Sequence, residues 1–251
     1  MLEPMLFLIA AVFLLAGFVK GVLGLGLPTV SMGLLVVAMQ PSRALAIVIA
    51  PAIITNIWQT FGGPYLRDIV RRLWPLMLCT VIGSLMSAGA MTGPYARYGT
   101  IALGVLLVGH AVIGLAQLRL RVAPRHEKWV GGIVGLLTGV ISASTGVQVI
   151  PSVPLIQAIG MEKDELVQAL GVFFTVATLA LSVNVSAAGL LNGTTAILGG
   201  IALACSFAGM LVGQNVRAKM PTEAFRRWFL IGMILLGIYL AGSAIYELTA
   251  E

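Results

Sequence analysis

Residues 17–31 read GFVKGVLGLGLPTVS. They lie inside the first long apolar run, where a membrane helix ordinarily carries leucine and isoleucine. Four glycines (Gly17, Gly21, Gly24, Gly26), Pro28 and Lys20 interrupt that run. Backbone at membrane depth leaves the helix only where protein or a watery cavity satisfies its polar groups, and in transporters such breaks surround the ligand. A related stretch, GLLTGVISASTGVQVIPS, occupies residues 135–152. Together they predict a pair of broken helices.

The rest of the chain sets the solvent. Hydrophobic residues make up 59% of the chain and charged residues 10%, against about 25% charged in a soluble domain. Several apolar runs exceed the roughly 18 residues that mark a spanning helix. The fold class is an all-α polytopic membrane protein. The net charge of +6 invites a nucleic-acid reading, but the basic residues fall in short connections between apolar runs, the pattern of topology determinants. Nucleic acid is therefore not an expected partner. Cys79 and Cys205 fall in apolar runs and read as buried free thiols. Glu3, with no early Lys or Arg, argues against a cleaved signal peptide.

The first run, residues 5–39, is too long for one span and too short for two. A span needs ~20 residues, so a break near Gly24 gives arms of about 18 and 13. The segment reads as a hairpin of two half-depth or tilted helices, with Pro28 in the first turn of the second arm. Further segments follow at 43–61, 73–91 and 98–118. After the polar linker 119–128 come a second broken segment (129–159) and spans at 166–188, 194–216 and 228–248. The halves match in order: Gly17 and Gly21 fall on Gly135 and Gly139, Cys79 on Cys205, Gly83 on Gly209, and Gly104, Gly109 and Gly114 on Gly232, Gly237 and Gly242. The organisation is thus a first repeat (1–118), a linker (119–128) and a second repeat (129–251), each a broken-helix hairpin plus three transmembrane helices.

If each hairpin returns to the side it entered from, each half crosses an odd number of times and the repeats are inverted in topology. Arg67, Arg71, Arg72, Arg119, Arg121, Arg125, Lys128, Lys163, Arg217, Lys219, Arg226 and Arg227 then share one side, and only Arg43 and Arg97 lie on the other. The positive-inside rule makes the first side cytoplasmic and turns both termini outward. Trp58, Trp74, Trp129 and Trp228 fall near that cytoplasmic interface, where indoles settle.

Such paired breaks place a ligand near the midplane, where they are expected to face each other. Free backbone N–H groups and the positive end of each second arm suit a small oxyanion. In the first half the donors come from the backbone around Gly24 and Gly26, with Thr29 and Ser31. In the second they come from Ser142, Ser144, Thr145, Gly146 and Gln148. The competing reading is that the glycines only let helices pack closely. Lys20, at mid-membrane, costs ~2.5–3.5 kcal/mol on insertion scales, which an anion would offset; a lysine lining a watery cavity is the other reading. Its counterpart is Thr138. Asn56, Gln59 and Asn184 are placed to line the path, or else to bond between helices. His110 suits a proton relay or a packing hydrogen bond. All nine carboxylates fall in connections or at ends, which argues against cationic substrates. An intramembrane enzyme needs an embedded nucleophile–base set or paired carboxylates, which the sequence does not supply. No cofactor or metal is expected.

GFVKGVLGLGLP near the start, GLLTGVISASTG at the midpoint and FRRWFLIGMILLGIYLAG at the end resemble the TauE/SafE (TSUP) family, the sulfite exporter group, over nearly the whole chain. The resemblance implies a bacterial inner-membrane transporter of sulfite, thiosulfate, sulfonates or related organic anions. The expectation is a secondary transporter working by alternating access, with proton coupling left open; the alternative is a passive anion channel of the same fold. A small anion and the bilayer are its expected partners, and a homodimer is left open.

Overall fold

The computed structural model describes residues 2–92, 97–116, 121–219 and 222–250. Of the residues weighed above, Arg119, Glu251 and the side chains of Glu3, Arg97 and Glu247 lie outside that description. The described chain is helical: α1 (Leu2–Leu23), α2 (Leu27–Leu35), α3 (Pro41–Thr60), α4 (Leu66–Met86), α5 (Arg97–Ala116), α6 (Glu127–Thr145), α7 (Ser152–Ala158), α8 (Lys163–Ala187), α9 (Gly193–Lys219) and α10 (Thr222–Ala250), with a short 3-10 turn at Pro124–His126. Eight of these helices are long and apolar enough to cross a membrane. The two that are not, α2 and α7, are the second arms of the broken segments.

Both breaks form where expected, but their arms are unequal. α1 has 22 residues and α2 has 9; α6 has 19 and α7 has 7. At 1.5 Å per residue, α1 is about 33 Å long, a full crossing and not a half-depth arm. The helix runs straight through Gly17 and Gly21 and fails only at Gly24 (φ +78°) and Gly26 (φ +105°). Glycine adopts that left-handed conformation at little cost. Pro28 then sits in the first turn of α2. In the second segment α6 stops at Gly146, again left-handed (φ +74°). α4 also begins earlier than expected, at Leu66, and takes in Asp68, Arg71 and Arg72. Hydropathy marks bilayer depth, whereas the helix continues into the charged flank.

Gly17, Gly21, Gly135 and Gly139 serve packing. A Cβ on Gly17 would stand 2.1 Å from the Ser206 carbonyl oxygen, and one on Gly21 2.3 Å from that of Met210. Their counterparts repeat this on α4: 2.3 Å from the carbonyl oxygens of Leu76 (for Gly135) and Thr80 (for Gly139). Small residues let backbones approach closely where helix association depends on van der Waals contact and not on the hydrophobic effect. So α1 of the first half lies on α9 of the second, and α6 of the second lies on α4 of the first. α3 and α8 pack together at the centre, and α5 meets α10 through Gly104 and Gly237. The halves interleave. Cys79 and Cys205 are free and half-buried, more accessible than the sequence suggests.

Each broken segment ends beside its own start. Arg43, at the head of α3, reaches Met5 in α1 (Nη2 to Sδ, 3.5 Å). Arg72 grips Glu127, at the head of α6, through Nε (2.7 Å) and Nη2 (2.6 Å), and Nη2 also donates to the carbonyl of Ile159, just past α7 (3.1 Å). These contacts define an Arg43 end and an Arg72 end of the molecule. The Gly24 break lies at the Arg72 end, near Val167 and Arg217. The Gly146 break lies at the Arg43 end, against Met32 and Leu45. The breaks therefore stand at opposite ends and do not face each other at the midplane. Full-length first arms carry each turn to the far side.

Candidate functional site

Lys20 lies in the last turn of α1 and is 3% exposed. It is one turn from the Arg72-end break and not in the middle of the span. Side chains on a helix lean toward its N-terminus, so the ammonium points inward from the break. Lys20 Nζ donates to Thr55 Oγ1 (3.0 Å) and to Asn56 Oδ1. Thr55 spends its own proton on the carbonyl of Pro51 (2.7 Å), which leaves its oxygen free to accept. Asn56 Nδ2 donates to Thr178 Oγ1 (3.4 Å), and Thr178 donates to Gln148 Oε1 (3.2 Å). The bonds run in one direction, from the last turn of α1 through α3 and α8 to the second broken segment. All five side chains are buried.

The electrostatics of this chain are one-sided. Every partner is a neutral oxygen, and two of the three ammonium donors are used. The negative end of the α1 dipole favours a cation in its last turn, but among the described residues no carboxylate pairs with Lys20. The second half holds no equivalent charge: Thr138 is buried and bonds the carbonyl of Val134 (2.8 Å).

Just outside Lys20 the backbone is tied shut. Gln59 Nε2 donates to the carbonyls of Gly24 (2.8 Å) and Val167 (2.7 Å), joining the break to α8. Beyond this closure a cavity of about 510 Å³ opens at the Arg72 end. Among the described residues its basic lining is Arg121, Lys163, Arg217 and Arg226, with His110, and no acidic side chain lines it. At the Arg43 end, the space beside Leu45, Ala143 and Asn184 is about 20 Å³, and no charged side chain lines it among the described residues.

The structure brings three of the expected residues into one network: Lys20, Asn56 and Gln148. Gln59 and Gly24 form the closure beside it, and Gly26 caps α2, its carbonyl accepting from Val30 (2.8 Å). Thr29 is buried on α2. Ser31 bonds its own helix at the Leu27 carbonyl (2.6 Å). Ser142, Ser144 and Thr145 likewise bond carbonyls of α6 (2.9, 3.1 and 2.8 Å), near Gly146 at the Arg43 end. Asn184 Nδ2 bonds the Ser84 carbonyl there (2.8 Å). His110 lines the basic cavity and not the network. Thr55 and Thr178 are each one of several hydroxyls in their apolar helices and do not stand out in the sequence, where Arg121, Lys163, Arg217 and Arg226 read only as topology markers. The signal for the latter was their place at segment ends that flank a broken helix.

A helical membrane protein with paired broken segments, a buried lysine and a basic cavity has the make-up of an anion carrier. The chain belongs to the sulfite exporter TauE/SafE family, whose pattern matches residues 9–240. That is a family of sulfite- and sulfonate-type anion exporters or transporters. Comparison with curated proteins finds no match, and comparison with solved structures finds none either.

Proposed function

We propose that the chain is a secondary transporter for a small sulfur-containing or organic anion, such as sulfite or a sulfonate, with Lys20 as the counter-charge. The observation that carries this reading is a buried lysine whose partners among the described residues are all neutral. An embedded cation is costly unless something offsets it, and an entering anion would do so while taking the ammonium's remaining donor. Asn56, Thr178 and Gln148 supply further polar groups on the path between the breaks. Gly24, Gly26, Thr29, Ser31 and Gln59 border this region on one side, and Ser142, Ser144, Thr145, Gly146 and Asn184 border it on the other.

The halves act as inverted repeats that rock about this network. Support comes from hairpins that each close on their own start, and from α1–α9 and α6–α4 contacts that exchange when the halves are exchanged. The wide Arg72 end and the narrow Arg43 end fit one state of an alternating-access cycle, and the narrow end speaks against a permanently open channel. The Arg72 end is cytoplasmic by its charge, and both termini face outward from a bacterial inner membrane. His110 in the cavity wall is the group placed to carry a proton if transport is coupled to one.

Thermal unfolding of the purified protein tests the sign of the ligand. A ligand that binds only the folded state raises the midpoint by mass action. Sulfite, thiosulfate, ethanesulfonate and acetate are compared with choline and ammonium at equal ionic strength. Stabilisation by one or more of the anions and by neither cation is expected. Stabilisation by the cations alone contradicts the reading.

A further inference from the structure

The cavity at the Arg72 end is larger than the Lys20 network needs. A bare sulfite would fill a small part of its 510 Å³. Its lining mixes basic and apolar side chains. Arg121, Lys163 and Arg217 are cationic, and none of them makes an ion pair among the described residues. Arg226 is committed elsewhere, donating to the Gly114 carbonyl (3.2 Å) with Glu223 3.8 Å away. The lining also includes the apolar side chains of Val22, Leu25, Leu166 and Phe229. The Gly24 break borders it: a Cβ on Gly24 would meet two of its lining residues, Val167 at 3.5 Å and Arg217 Nη1 at 4.0 Å. The Gln59 bridge therefore stands between this cavity and Lys20.

We propose that this cavity is a second anion site, in series with Lys20, that holds an organic anion with its acidic head on Arg217, Lys163 and Arg121 and its hydrocarbon body on the apolar side chains. The site rests on the transporter reading only for the supply of its ligand. The head chemistry, a sulfonate or carboxylate on guanidinium and ammonium groups, is shared with the headgroup of an anionic lipid. A lining with both charged and apolar members suits a free anion with a short tail, and that is the occupant proposed. Each added methylene that leaves water for an apolar wall tightens binding about three- to fourfold.

The test measures binding of methane-, ethane- and butanesulfonate by calorimetry to the full chain in nanodiscs of zwitterionic lipid. Affinity is expected to rise along the series. The double variant Arg217→Gln/Lys163→Gln is expected to weaken butanesulfonate at least tenfold, and Arg217→Lys/Lys163→Arg to restore it. Lys20→Met is expected to keep butanesulfonate binding although it stops transport, which separates this site from the Lys20 assignment. Three outcomes overturn the proposal: loss of all binding in Lys20→Met, no dependence on chain length, or unchanged affinity in the double Gln variant. A fourth also does: if phosphatidylglycerol added to the nanodiscs competes with butanesulfonate at stoichiometric levels, the cations serve a lipid headgroup instead.

Discussion

At the scale of the residue, the molecule turns on how the Lys20 amine is bonded inside apolar surroundings. Its two oxygen partners belong to one helix, and one of them, Asn56, passes the bond on to Thr178. Replacing Asn56 by leucine removes one partner from the ammonium and unlinks Thr178. Asn56→Leu is expected to lower unfolding stability by about 1–3 kcal/mol, the cost of leaving a buried polar group unmatched. Adding Lys20→Met to Asn56→Leu is expected to cost much less than the sum of the two, because one bond is removed twice. Thermal unfolding of the three variants reads this coupling; strict additivity means that the two side chains do not act as a unit. The sequence pointed to Lys20, Asn56 and Gln148 because a charge or amide in an apolar run is conspicuous. Thr55 and Thr178 escaped notice because a threonine commonly bonds its own helix, and only the fold shows which hydroxyl also faces a neighbour.

At the scale of the element, glycines with the same spacing do two different things. Gly24, Gly26 and Gly146 break helices, and Gly17, Gly21, Gly135 and Gly139 seat one helix on another. The sequence located both breaks to within a few residues. It could not divide the glycines between the two roles, since the division depends on whether another backbone lies within about 3 Å. Gly17→Leu drives a side chain into the α9 backbone and is expected to cost about 3 kcal/mol or more. Gly200 has nothing within 4 Å of its added Cβ, so Gly200→Ala on the same α9 is expected to leave the midpoint unchanged or slightly raised. Melting curves in one detergent compare the two, and equal effects count against the packing assignment. The Arg72–Glu127 pair closes the second hairpin with Glu127 8% exposed. Glu127→Gln is expected to lose about 2 kcal/mol by replacing a charge-assisted bond.

At the scale of the whole molecule, the charge pattern read from the sequence survives in three dimensions as a cavity with four basic side chains at the Arg72 end and a small space at the Arg43 end whose described lining is uncharged. What the sequence did not show is that first arms of full length carry the two breaks to opposite ends, with a hydrogen-bonded chain between them. The orientation is open to a direct check. In a Cys79→Ser/Cys205→Ser background, Ala38→Cys at the Arg43 end is expected to react with an impermeant maleimide in intact cells. Arg67→Cys at the other end is expected to react only after permeabilisation, and the reverse pattern turns the molecule over. The central claim, that Lys20 holds the charge of the transported anion, is tested most directly by uptake of labelled sulfite and ethanesulfonate into proteoliposomes. Wild type is expected to exchange at least one of them, and Lys20→Met, eluting as a monodisperse protein with unchanged helical content, is expected to exchange neither. Wild-type flux in that variant contradicts the account.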